Sequence, residues 1–248
     1  MTADSQVSVV FGATGGIGGQ LTELLASRGD QLALSGSSRE KLDDLRDRFG
    51  CLSETTDVNS WESIQEFLKR SHDQFGRIDA VALCVGSILL KPAHSVTLEE
   101  WEKTLALNLS SAFAVIKFAA PLMRKTGGSI VLVSSSAARV GIANHEAIAA
   151  AKAGLHGLSI SAAATYAPQR IRVNCVAPGL TDTPMAAPIL SSPAAREVSE
   201  KMHPLGGIGT ARAVADAISW LMDRNQSWVT GQIIGVDGGL SSLKPRNG

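Results

Sequence analysis

The sequence is short of aromatic residues and of cysteine: Phe, Trp and Tyr together make up 4% of 248 residues, with one Tyr and three Cys. Any chemistry that needs a phenol therefore has a single candidate, Tyr166. The three thiols, Cys51, Cys84 and Cys175, lie far apart, each in or beside an apolar run. They lack the paired spacing of a zinc site or a disulfide framework and read as buried, inert thiols, with no metal site expected. Net charge is missing too, since Lys plus Arg and Asp plus Glu number 23 each. No overall field draws the chain to nucleic acid or to an anionic membrane, so neither is expected as a partner and the ligand is to be sought in a pocket. Residues 1–6 (MTADSQ) lack the basic start and apolar stretch of a signal peptide. No apolar run approaches the roughly 20 residues that span a bilayer, so a cytoplasmic location is expected.

What is present is ordinary globular composition, 44% hydrophobic and 19% charged. A chain of this length can bury a substantial core as one unit, and a single domain over 1–248 is expected. Short apolar runs alternate with helical patterns: 7–11, 32–36, 51–56, 79–85, 129–135, 171–178 and 231–236 read as strands. Helices are expected at 16–28 and 39–49, from about 60, over 98–124, and near 147–166 and 211–223. The alternation predicts a doubly wound α/β Rossmann fold, a seven-stranded parallel sheet flanked by helices. Residues 179–207, rich in Pro, Ala and Ser, read as an irregular stretch too long for an ordinary connection, and so as a substrate lid.

The run Gly12-Ala-Thr14-Gly-Gly16-Ile17-Gly18 follows the first strand and opens the first helix. Glycines there allow a tight turn and close approach of backbone to a pyrophosphate, while the helix N-terminus offers free N–H groups and the positive end of its dipole. At the end of the second strand the chain reads Ser35-Gly-Ser37-Ser-Arg39, with no acid to hold a ribose 2′-hydroxyl. Small hydroxyls and Arg39 suit a 2′-phosphate, which favours NADP over NAD. Arg39 reads equally well as a solvated residue in the first turn of a helix.

The spacing Gly-x-x-x-Gly-x-Gly, followed in order by Asp57-Val58, Gly86, Asn108, Ser135, Lys152, Pro178-Gly179, Thr183, Pro204-Leu205-Gly206 and Val236-Asp237-Gly238-Gly239, resembles the short-chain dehydrogenase/reductase family. The likeness extends to its 3-oxoacyl-carrier-protein-reductase-like members. It implies an NAD(P)-dependent oxidoreductase acting on a small-molecule carbonyl or alcohol, assembled as a homotetramer or homodimer. By the same resemblance Asp57 and Val58 meet the adenine, Gly86 lets the backbone pass the ribose, and Pro178, Gly179 and Thr183 hold the nicotinamide end. The family pattern Asn-Asn-Ala-Gly reads Leu83-Cys84-Val85-Gly86 here.

The resemblance implies Ser135 as the group that steadies the substrate oxygen and Lys152 as the group that holds the ribose and lowers the pKa of a tyrosine four residues before it. That position is Ile148, and Tyr166 is 14 residues past Lys152, about 21 Å along a helix. Asn108 stands at the position of the family's proton relay, or else stabilises a kink in a long helix. His145, just ahead of the vacant position, is either a relocated acid or a loop histidine beside a helix-capping Glu146. Two functions follow: an oxidoreductase with an atypical site, or a catalytically degenerate NADP-binding or regulatory protein.

Overall fold

The computed structural model describes residues 5–244. Seven parallel strands form one sheet in the order β3-β2-β1-β4-β5-β6-β9. They are β1 Val7–Phe11, β2 Gln31–Gly36, β3 Leu52–Thr55, β4 Ala80–Leu83, β5 Gly128–Val133, β6 Ile171–Pro178 and β9 Ile233–Val236. Strand order reverses between β1 and β4, which opens a crevice at the C-terminal ends of the strands, where open α/β sheets bind ligands. β1, β4 and β6 are buried along their whole length, as strands covered on both faces must be.

Two apolar layers sandwich the sheet. On one face α1 (Gly16–Arg28), α2 (Arg39–Phe49) and α9 (Ala211–Met222) bury Leu21, Leu25, Leu42, Val214 and Ile218. On the other, α3 (Trp61–Phe75), α5 (Ser111–Met123) and α6 (Glu146–Tyr166) bury Ile64, Phe67, Val115, Ala119 and Leu155. A further helix, α4 (Leu98–Leu105), leads into α5. Tyr166 packs against this second layer at the far end of α6.

The expected long helix is interrupted. Between α4 and α5, Ala106–Ser110 form one wide π turn, and buried Asn108 lies in it. Its Nδ2 donates to Thr104 O at 3.0 Å, so the side chain satisfies a carbonyl of the disturbed turn. The helical run Leu98–Met123 is long and apolar enough to cross a bilayer by length and composition alone, a property the sequence reading overlooked because charges interrupt the run. Its α5 half is accounted for by the core, where Ala112, Ala114, Val115, Ala119 and Met123 are buried.

The stretch 179–207 is not irregular. A two-residue strand β7 (Thr181–Asp182) pairs in parallel with β8 (Gly209–Thr210), and between them lie α7 (Ala187–Leu190) and α8 (Pro193–Met202). Pro193 sits in the first turn of α8, where a missing N–H costs nothing, and Ser192 caps it by accepting from Ala195 N at 3.3 Å. The Pro and Ser that read as breakers are helix starts.

Candidate active site

The ends of β4, β5 and β6 converge on one cavity of about 690 Å3, which Ile17 of α1 also lines. In the glycine loop that follows β1, beside the cavity, Gly12 has φ +83° and a Cβ there would stand 2.8 Å from the Cys84 carbonyl oxygen. A Cβ on Gly18 would collide with the Gly12 carbonyl, and one on Gly16 would lie 2.8 Å from Thr183 Cγ2. Thr14 closes the other side, where a Cβ on Gly36 would be 2.5 Å from its Oγ1. The glycines thus let three neighbouring segments approach the loop. Five helices (α2, α3, α4, α8 and α9) begin on a Ser or Thr whose hydroxyl accepts a backbone N–H, but α1 begins on Gly15 with no side-chain cap. Its first N–H groups are therefore left for a ligand, and a phosphate is the ligand that such a helix start favours.

The chemistry-bearing residues come from three different elements. Lys152, buried on α6, donates from Nζ to Val133 O at 2.9 Å. A Cβ on Gly86 would stand 2.9 Å from Asn108 Oδ1 and 3.1 Å from Lys152 Nζ, so both polar groups face the backbone at that glycine. Asn108 is pinned there by Ser87, whose N–H donates to Oδ1 at 3.1 Å and whose hydroxyl accepts from Nδ2 at 3.0 Å. Asn108 thus braces the π turn, and its Oδ1 faces the same glycine backbone as the lysine ammonium.

Ser135 lines the cavity and accepts from Ala137 N at 3.2 Å. Ile148 is buried one turn before Lys152 on α6, and both line the cavity. His145 precedes the first residue of α6 and makes no capping bond; its Nδ1 is 2.8 Å from Ala143 O. A carbonyl only accepts, so Nδ1 carries the proton and Nε2 is bare in the neutral ring. Glu146 is the acidic residue in the first turn.

Burial sets the titration of the lysine. Desolvation by burial lowers Lys152 to about 8, and Cys175 and Cys84 oppose this without outweighing it. The same burial lifts Cys84 and Cys175 to about 12, so both thiols stay neutral and inert near neutral pH.

Ile17, Gly86, Pro178, Gly179 and Thr183 share the cavity with these groups. Thr14, Ser37, Arg39, Asp57 and Val58 lie outside it, on or beyond the ends of β1, β2 and β3. Ser37 and Arg39 are exposed, and Arg39 makes only a loose 3.7 Å ion pair with Asp43. Asp57 accepts from Asn59 N at 2.9 Å in the turn before α3, and Val58 is buried beneath it.

Sequence reasoning missed Ser87, which orients Asn108, and His203, which is buried on the cavity wall. Nothing in the pattern around a lone His before Pro204 marked it. It also missed Ile88, Leu90, Val198 and Met202, exposed large apolar residues that line this cavity together with Met185.

A family profile described as Enoyl-(Acyl carrier protein) reductase matches residues 12–241. Among curated proteins, the chain is 36% identical to cis-4-hydroxycyclohexanecarboxylate dehydrogenase of Sinomonas cyclohexanicum, over 96% of this chain and 97% of that one. It is 34% identical to a 3-oxoacyl-[acyl-carrier-protein] reductase of Thermotoga maritima, over 97% and 99% of the two chains. Among solved structures, a short-chain type dehydrogenase/reductase from Mycobacterium ulcerans superposes with a TM-score of 0.89 at 29% identity, covering 95% of this chain and 90% of that one.

Proposed function

Because the chain belongs to the short-chain dehydrogenase/reductase family, we propose that it is an NADP(H)-dependent oxidoreductase of a carbonyl or secondary alcohol whose active site has Ile148 where the family carries its tyrosine. One juxtaposition supports this above all: Lys152 Nζ and Asn108 Oδ1 converge on the Gly86 backbone, in the wall of the cavity that Ile17 and Thr183 also line. The glycine cradle and the uncapped start of α1 fit the phosphates of a dinucleotide. The acid-free end of β2, with Ser37 and Arg39 open to solvent, favours the 2′-phosphate. When bound, the nicotinamide supplies or takes the hydride.

The protein's own residues handle position and proton. Ser135 orients the reacting oxygen, and Lys152 holds the ribose and adds positive charge beside the alkoxide that reduction would form. Ile148 has no proton to give. His145 is the group we assign to that task, because Nδ1 is held by Ala143 O and Nε2 makes no hydrogen bond among the described residues. The unit acts as a homotetramer or homodimer, with 184–202 as a lid over an apolar substrate.

A dinucleotide-binding regulatory protein without turnover is the second reading, and Ile148 alone favours it. The two separate on NADPH absorbance measured against cyclic ketones, 4-oxocyclohexanecarboxylate and a 3-oxoacyl thioester, the last two chosen from the relatives' substrates. Consumption with any of them supports the oxidoreductase. Tight NADPH binding with no consumption across the set would leave the regulatory reading.

A further inference from the structure

The segment between β7 and β8 has almost no core of its own. From Asp182 to Ala213 only Ala186 and His203 are buried, at 2% and 5% exposure, and no residue of α7 or α8 is. Met185, Val198 and Met202 face the cavity half open to solvent. What holds α8 over the cavity must therefore be sought in polar contacts at its ends.

His203, directly after α8, makes those contacts. Its Nδ1 is 2.6 Å from Ser199 O, and its Nε2 is 3.2 Å from Leu180 N. A carbonyl can only accept and a backbone N–H can only donate, so the ring is neutral with its proton on Nδ1. Leu180 is gripped on its other side as well, since its carbonyl accepts from Gly209 N at 3.0 Å. The ring reaches the strand exit only because position 179 lacks a side chain: a Cβ on Gly179 would be 2.6 Å from Nε2. The chain after the histidine is fixed in turn, as His203 O accepts from Gly206 N at 2.7 Å and Leu205 N donates to Gly238 O at 3.0 Å. One imidazole thus joins α8 to Gly179 and Leu180 between β6 and β7, and β7 leads directly to Thr183, which stands against Gly16 of the glycine loop.

We propose that His203 is a positioning residue, whose two hydrogen bonds pin the 184–202 segment to the loop that lines the dinucleotide side of the cavity. The role at the cavity rests on the oxidoreductase reading above; the pin itself does not. A side chain that both donates and accepts at this length can replace it, while an apolar one of similar bulk cannot.

The test is limited trypsin digestion of the cofactor-free protein, with cleavage at Arg196 and Lys201, both exposed on α8, followed by mass spectrometry. His203→Leu should be cut there about 10-fold faster than the unaltered chain, in line with the loss of a buried hydrogen bond. His203→Gln, which can accept from Leu180 and donate to Ser199, should stay within about 3-fold of it. The Kd for NADPH, read from its fluorescence, should rise about 10-fold in the Leu variant and not in the Gln variant. Cleavage of His203→Leu at the unaltered rate, or of His203→Gln as fast as His203→Leu, would overturn the pin. Should His203→Leu fail to fold, hydrogen exchange in the unaltered protein decides: the Leu180 amide should exchange at least about 10-fold more slowly than an open loop amide, and exchange at the open rate defeats the proposal. If the unaltered chain binds no NADPH, the oxidoreductase reading falls while the digestion and exchange results still decide the pin.

Discussion

Ile148→Tyr should create or raise NADPH-dependent ketone reduction, and the structure gives the size of the effect. Residues 148 and 152 lie one turn apart on the same face of α6, about 6 Å along its axis. Both are buried against the cavity. With Lys152 near 8, the amine is mostly charged at pH 7. A phenolate about 4 Å from that charge gains about 4 kcal/mol at an effective dielectric of 20, roughly three pKa units, which brings a phenol from about 10 to about 7. A general acid near the working pH contributes about 10²-fold or more in rate. The added ring overpacks the position by about 1–3 kcal/mol unless it turns into the open cavity. Ile148→Phe carries the ring without the proton and is the control. The assay is NADPH absorbance at pH 7 against the ketone set, with folding checked by melting and cofactor affinity by fluorescence. Equal rates for the two variants, both folded and both binding NADPH, would refute the placement of Ile148 beside Lys152 and Ser135 in a working geometry.

The sheet and its flanking helices were legible because the fold is written in periodicity. Buried parallel strands are written largely in apolar residues, and Val7–Phe11 and Ile171–Pro178 came out to the residue, the second despite Arg172 and Asn174, while β2, β3, β4 and β5 were off by one or two residues at an end. β9 was read two residues too long at its start, since Gly231 and Gln232 continue the run but pair differently: Gly231 N donates to Val173 O and Gln232 N to the Asn174 side chain. The cavity's polar members were legible only through order and spacing, which carry no distances. That Lys152 and Asn108 meet at Gly86 depends on a π turn, and a π turn leaves no mark in a hydrophobic pattern. The stretch 179–207 was misread as irregular because its Pro and Ser residues serve as helix starts, and composition alone cannot tell a start from a break. His203 was invisible for a different reason: its partners are backbone groups of Leu180 and Ser199, and backbone has no letter in the sequence.

Three further outcomes are expected. NADPH at about 100 times its Kd should stabilise the chain by about 2.7 kcal/mol and raise Tm more than NADH does; no shift with either at millimolar concentration would defeat the dinucleotide reading. His145→Ala should lower NADPH consumption about 10²-fold or more while leaving NADPH affinity unchanged, and an unaltered rate would remove His145 from the proton path. Lys152→Met should flatten part of the alkaline rise in stability of the cofactor-free protein. In the folded chain burial holds Lys152 near 8, against 10.5 for the free side chain, so between those values the unfolded state binds a proton that the folded state does not. Stability contributed by this group therefore rises as pH climbs from about 8 to about 10.5, and below about 8 the folded state bears the full penalty of a buried ammonium. The difference is about 3 kcal/mol at most, at about 1.4 kcal/mol per unit. Urea midpoints at pH 7.5 and 9.5 measure it, with Lys152→Met cancelling every other titrating group by comparison. The variant should gain most at pH 7.5 and lose roughly half of that advantage by 9.5. An equal shift at the two pH values would mean that the lysine keeps its ordinary proton affinity in the fold, and that water or an unrecognised anion reaches Nζ beside Gly86.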